Sequence, residues 1–115
     1  MRHKREIEQV NARKITAPDW KPRSEWEDHV SDVQRLVKEN SQANRWGRSL
    51  TIDYCDCDHE WAITVERNWF ADNLSLSART RAHLPRTATI EDLIATADRL
   101  TVDVGEALAE TVNPG

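Results

Sequence analysis

Three stretches of this chain alternate apolar and polar residues with period two, and the links between them are short. Leu50, Ile52 and Tyr54 share one face of the first stretch, Trp61, Ile63 and Val65 one face of the second, and Leu74, Leu76 and Ala78 one face of the third. Such alternation marks strands with one buried face. The links read Asp56-Cys57-Asp58-His59 and Asn68-Trp69-Phe70-Ala71-Asp72-Asn73. A parallel crossover needs about a dozen residues or more, so the strands pair as an antiparallel meander. Their other faces carry Thr51, Asp53, Thr64, Glu66, Ser75, Ser77 and Arg79, which places water on that side of the sheet.

Helical patterns flank the meander. Ser24 offers an N-cap and Glu27 stands three residues on, the spacing of a capping box. Behind it Trp26, Val30, Val33 and Leu36/Val37 recur at helical intervals, which predicts a helix over 25–43. Thr89 and Asp92 open a second helix in the same way, and Ile90, Leu93/Ile94, Ala97, Leu100, Val104, Leu108 and Val112 continue its apolar stripe. The run Thr101-Val102-Asp103-Val104-Gly105 is rich in poor helix formers, so one helix or two with a break near 102 are both open. Two amphipathic helices on one apolar sheet face make a two-layer α+β domain.

The charge is unevenly spread. Residues 1–23 hold seven Lys/Arg against three acids, a local charge of +4 that leaves −8 on the rest of a chain of net charge −4. Ile7, Val10 and Ala12 or Ile15 give weak helical spacing over 1–15. Pro18 and Pro22 then hold their preceding residues extended. Residues 1–23 therefore read as a basic arm, extended in its second part, attached to one α+β domain over 24–115. The length, 115 residues, is that of one domain with a core of its own.

No run of apolar residues is long enough to span a membrane, and no apolar stretch follows the basic N-terminus as in a signal peptide. Cys55 and Cys57 would point to opposite faces of a strand, which disfavours a bond between them. A reducing, cytoplasmic setting is the expectation.

The densest polar cluster is Asp53-Tyr54-Cys55-Asp56-Cys57-Asp58-His59-Glu60. Thiolate and imidazole suit zinc, which makes Cys55, Cys57 and His59 the metal candidates. Their spacing is tighter than that of familiar zinc sites, and no second ligand pair follows. Cys57 and His59 are two apart, as a nucleophile and its base on one strand face would be. The surrounding carboxylates oppose thiolate formation there. Three isolated glycines cannot build a phosphate loop. The expectation is a non-enzymatic protein without a cofactor.

Five tryptophans are many for this length. Trp61 and Trp26 fall in the apolar stripes of sheet and helix. Trp46 falls near the first helix's end, where it would cover the sheet edge. Trp69 and Phe70 fall in a connection, as a lid on the core or as an exposed anchor. Trp20 sits between two prolines in the charged arm, and a stiff segment carrying one tryptophan can dock with little entropy to lose. In the body, the basic stretch is Arg79 to Arg86. There Arg79, Arg81 and Arg86 either line an anionic site or pair with the acidic hairpin.

The helix, three strands, helix order resembles that of double-stranded-RNA-binding domains, which rely on phosphate and 2′-hydroxyl contacts. Here the last helix opens Thr89-Ile90-Glu91-Asp92, acidic where that family carries a lysine cluster, so the binding function does not carry over. The run TIEDLIATADRLTVDVGEAL, residues 89–108, resembles the last two helices of repressor-type helix-turn-helix domains, with Leu100, Val102 and Leu108 in the apolar places. It omits the recognition helix.

These features point first to a protein-interaction module: an adaptor, inhibitor or accessory protein of the kind found in phage and mobile-element genomes. Its partner-binding candidates are Trp20, Arg2, Lys4, Arg5, Arg13, Lys14, Trp69 and Phe70. An arm reaching the acidic body of a second copy would build a homodimer. The alternative is a DNA- or RNA-binding regulator that uses the basic arm or a C-terminal helix pair.

Overall fold

The alternating stretches pair as β1 (Arg48–Cys55), β2 (Glu60–Ala71) and β3 (Leu74–Pro85), an antiparallel sheet of order β1-β2-β3. The computed structural model describes residues 2–12, 23–44, 48–55, 58–71 and 73–112. Its registers keep the apolar residues in phase. Leu50 lies opposite Val65, Ile52 opposite Ile63 and Tyr54 opposite Trp61; Trp61 and Ile63 in turn face Leu84 and Ala82. One-residue slips would carry these side chains to the wet face.

The β2–β3 hairpin is longer than its apolar alternation indicates. Its ladder runs from Glu60 opposite Pro85 to Ala71 opposite Leu74, leaving only residues 72 and 73 between the strands. Asn73 has φ of 68°, a left-handed conformation that asparagine tolerates. Trp69 and Phe70 are thus strand residues rather than parts of a connection. Arg67 conceals the continuation, because it occupies an inner-face position. It extends over α3: a Cβ placed on Gly105 would stand 3.6 Å from its Nη1. A long side chain can cover apolar surface with its stem in this way.

Three helices complete the fold: α1 (Arg2–Ala12), α2 (Arg23–Glu39) and α3 (Ile90–Val112), with a 3-10 turn at Gln42–Asn44. Helix α2 lies along β1, while α3 crosses β2 and β3. Val33, Leu36 and Val37 of α2 meet Ile52, Trp61, Ile63 and Val65 of the sheet and Ile90, Leu93 and Ala97 of α3 in one buried cluster. Helix α2 ends four residues short of the predicted limit. There the Asn40 side chain donates to the Leu36 carbonyl at 2.8 Å, and the backbone N–H of Gln42 is held by Asp98 at 2.7 Å.

Helix α3 is a single helix. Thr89 and Asp92 form the capping box, with bonds of 3.0 and 3.2 Å. Through the weak run, the Thr101 hydroxyl donates to the Ala97 carbonyl at 2.8 Å, so a polar residue is buried without an unmet bond. The stripe of Leu100, Val104 and Leu108 stays buried across it. Burial of that stripe outweighs the low propensity of Val102 to Gly105. The helix-turn-helix resemblance fails on this point, and Val102, one of its apolar positions, is 58% exposed.

The segment read as a basic arm is helical in its first part. Ile7 and Val10, one turn apart, are only 8% and 2% exposed and belong to the core. Helix α1 packs on α2 and α3. Arg35 of α2 donates to Glu6 of α1, and this hydrogen bond is the main cause that raises the Arg35 pKa above its ordinary value. Asn11 reaches the start of α3, where its Oδ1 accepts from the Ile90 N–H at 3.1 Å and its Nδ2 donates to Glu91 at 3.2 Å.

Candidate functional site

The β2–β3 hairpin carries two of the three large apolar side chains that are exposed among the described residues, Phe70 and Leu74. Strand alternation turns Trp69 to the inner face, opposite Leu76, and Phe70 to the outer face, opposite Ser75. Trp69 is half-buried, Phe70 is 73% exposed and Leu74, which opens β3, is 55% exposed. Strands of 12 residues reach roughly 40 Å, and the molecule measures 52 Å along its longest axis. The hairpin end thus presents large apolar groups on both faces of a paired, regular ladder.

The outer face behind Phe70 is polar. On β3 it carries Ser75, Ser77, Arg79, Arg81 and His83 in sequence, all exposed. Arg79 stands opposite Glu66 and Arg81 opposite Thr64. His83 Nδ1 lies 3.6 Å from Glu60, an ion pair when the imidazole is protonated. Among the described residues neither Arg79 nor Arg81 makes an ion pair. Arg86 lies beyond Pro85, past the end of β3, in a turn closed by the Ala88 N–H on the Pro85 carbonyl at 3.0 Å. His83 takes its place in the row, and strand alternation beyond residue 79 would have indicated it.

Between α2 and the edge of β1 lies a cleft of about 310 Å³. Trp26, Glu27, Val30, Ser31 and Gln34 line it from one side of α2, and Ile52, Asp53 and Tyr54 line it from β1. Gln34 accepts the Ile52 N–H at 2.9 Å and so closes part of the sheet edge. The Trp26 and Tyr54 rings meet edge to face, their centroids 6.3 Å apart and their planes at 62°. Tyr54 continues to Trp61 at 5.0 Å, and Trp61 to His29 at 6.5 Å. Trp26 is therefore partly a wall of the cleft and not wholly a core residue. Sequence reasoning missed this site because its two walls come from segments that only the fold brings together.

Cys55 is exposed and its Sγ lies 3.8 Å from Asp58. His59, at φ of 54°, is an exposed turn residue. Among the described residues no three His, Cys, Asp or Glu side chains converge to hold a metal ion. Lys4 and Arg5 are exposed on α1, and Arg2 lies in the same helix. Trp20, Arg13, Lys14, Trp46 and Cys57 lie outside the described residues. Among the described residues no helix is long and apolar enough to cross a membrane. Comparison with family models, with curated proteins and with solved structures gives no match.

Proposed function

We propose that this chain is a non-enzymatic protein-interaction module, an adaptor, inhibitor or accessory protein of the kind carried by phages and mobile elements, that docks through the end of its β2–β3 hairpin. The observation that carries this reading is the pair Phe70 and Leu74, exposed at the end of an unbroken ladder. Large aromatic groups on a rigid element lose little entropy on docking and are enriched among interface hot spots. The outer face gives the partner its chemistry. A surface that seats Phe70 meets Ser75 and Ser77 and, farther along the same face, Arg79 and Arg81, so the fitting partner has an apolar pocket with polar groups beside it and carboxylates beyond them. Trp20 and the cations Arg2, Lys4, Arg5, Arg13 and Lys14 are the second contact of this reading. A cytoplasmic setting agrees with the free, exposed thiol of Cys55.

The test compares the native chain with Phe70→Ser/Leu74→Ser. Light scattering reads self-association, and capture from the native cell extract reads other partners. The reading requires at least one association that the double substitution abolishes with the fold intact by circular dichroism. Identical association profiles for the two proteins overturn it. If the association lost is self-association, the module is a homodimer.

A second reading, a DNA- or RNA-binding regulator, is favoured by the row of Arg79, Arg81 and His83 on the open sheet face. It requires binding that weakens steeply with salt. A flat gel-shift titration at low salt removes it.

A further inference from the structure

We propose that the free edge of β3 takes up an extended segment of a partner protein as a fourth strand of the sheet, a segment whose alternate residues are acidic. The backbone directions follow from one hydrogen bond. The Ile52 N–H is accepted by Gln34 of α2, so it points away from β2. Ile52 and its partner Ile63 are then a non-hydrogen-bonded pair, and the backbone groups of Ile63 turn instead to Ala82 of β3. Alternation along β3 sends the N–H and carbonyl groups of Ser75, Ser77, Arg79, Arg81 and His83 outward. Pro85 is in phase with them, so its missing N–H costs the ladder nothing. Among the described residues nothing bonds the outward N–H groups, whereas the Pro85 carbonyl is held by the Ala88 N–H.

This edge lacks the devices that shut others. The opposite edge is β1, where Gln34 takes up the Ile52 N–H. Strand β3 pairs one to one with β2 over 12 residues and so has no bulge; it has no lysine, and its proline is the last residue. Thr80 ties it to α3 through the Leu100 carbonyl at 3.3 Å, so the edge is held in place before anything docks. Its inner-face residues from Leu76 to Leu84 are only half-buried, while Trp61, Ile63 and Val65 of β2 are fully buried. An added strand would cover the remainder with its own apolar positions. Charge selects the occupant. Arg79 and Arg81 are exposed on the outer face, and neither makes an ion pair among the described residues, not even Arg79 with Glu66 across the ladder. A second copy of β3, paired antiparallel over the whole outward run, would set Arg79 opposite Arg79 and Arg81 opposite Ser77. That crowds the guanidinium groups of both copies on one face, which is destabilising. Carboxylates in those places form cross-strand ion pairs instead. Such docking rests on the chain being an interaction module, as proposed above, and uses a surface other than the Phe70 and Leu74 end.

The probe is a blocked peptide in which valine and glutamate alternate. One control carries lysine for glutamate. In the other the glutamates are N-methylated, which removes the N–H groups that would bond an antiparallel edge. Each is titrated into the full chain and followed by ¹⁵N–¹H spectra. The expected result is a saturable shift of the Ser77, Arg79 and Arg81 amides with the glutamate peptide and with neither control. In Arg79→Ser/Arg81→Ser, both at exposed positions, affinity should fall by about fivefold or more, while the melting temperature stays within a few degrees. Ser77→Pro, which removes one outward N–H, should abolish binding; if that variant does not fold, the arginine double variant decides. No saturable shift, equal binding of the lysine peptide, undiminished binding of the N-methylated peptide, or native affinity in the double variant each overturns the proposal. A single-stranded oligonucleotide that shifts these amides when the glutamate peptide does not would assign the row to nucleic acid and overturn it as well. A concentration-dependent shift of the same amides without peptide would seat a second copy on the edge, with the same consequence. Phe70→Ser/Leu74→Ser should bind the peptide as the native chain does. Loss of binding there moves the site to the hairpin end and overturns the edge assignment. Failure of the association test above, with peptide binding intact, overturns the hairpin end alone.

Discussion

Asn11, near the C-terminal end of α1, accepts the backbone N–H of Ile90, the first residue of α3, at 3.1 Å. The four leading N–H groups of a helix have no partner within it. Thr89 serves one from inside the capping box, and Asn11 serves another from far away in sequence. The same side chain donates to Glu91. Asn11→Ala should therefore cost about 1–2 kcal/mol, read as a lower urea midpoint at unchanged m value. The Ile90 amide should exchange faster with solvent. A midpoint equal to that of the native chain would mean that α1 does not cap α3 in solution.

Helix α1 also supplies core. Val10 is 2% exposed, whereas Lys4 and Arg5 are exposed. Val10→Ala should destabilise by about 1.5–3 kcal/mol, and Lys4→Ala or Arg5→Ala by no more than about 0.5 kcal/mol. Thermal melts of the three variants decide it. Equal, small effects would return residues 2–12 to the status of a loose arm. Deletion of the N-terminal segment is accordingly a poor probe of binding, since it removes Ile7 and Val10 with the basic residues.

Gly105 lies inside α3, and among the described residues a Cβ there would meet only the Arg67 guanidinium at 3.6 Å, an ordinary contact. Glycine loses more backbone freedom on folding than alanine does. Gly105→Ala is expected to stabilise the domain by about 0.5–1 kcal/mol. A lower melting temperature in this variant would show that the Arg67 side chain cannot yield.

Trp61 is fully buried, and its Nε1 has no hydrogen-bond partner among the described residues. Trp61→Ala should cost about 3–5 kcal/mol, as large aromatic truncations do. Trp61→Phe should cost less than about half of that, because it keeps much of the ring contact and removes a buried donor without an acceptor. Denaturant titration of both variants gives the ratio. Equal losses would place an undetected acceptor at the indole.

Much of the layout was legible in residue order. The alternation at 50–54 and 61–65 and the stripe from Ile90 to Leu108 each follow from burying one face of a regular element, and local spacing suffices to show that. The end of β2 was not legible, because Arg67 on an inner position breaks the apolar alternation although the ladder continues past it. The role of α1 was obscured for a related reason: its apolar contribution is two residues, Ile7 and Val10, in a run dominated by charge. Of the candidate sites, Trp69 and Phe70 were visible as large apolar residues outside the recognised core. The partnership of Trp26 with Tyr54 was not visible.

By itself, then, the sequence determined the antiparallel meander, the flanking helices and the wet outer face, since each depends on periodicity and short links within one segment. Only the tertiary structure decided that α3 is continuous, that α1 joins the core, and that a helix wall and a strand edge enclose a cleft where the Trp26 and Tyr54 rings meet. Those outcomes depend on surfaces buried between segments distant in the chain, and such burial can exceed the local propensities that periodicity and composition report.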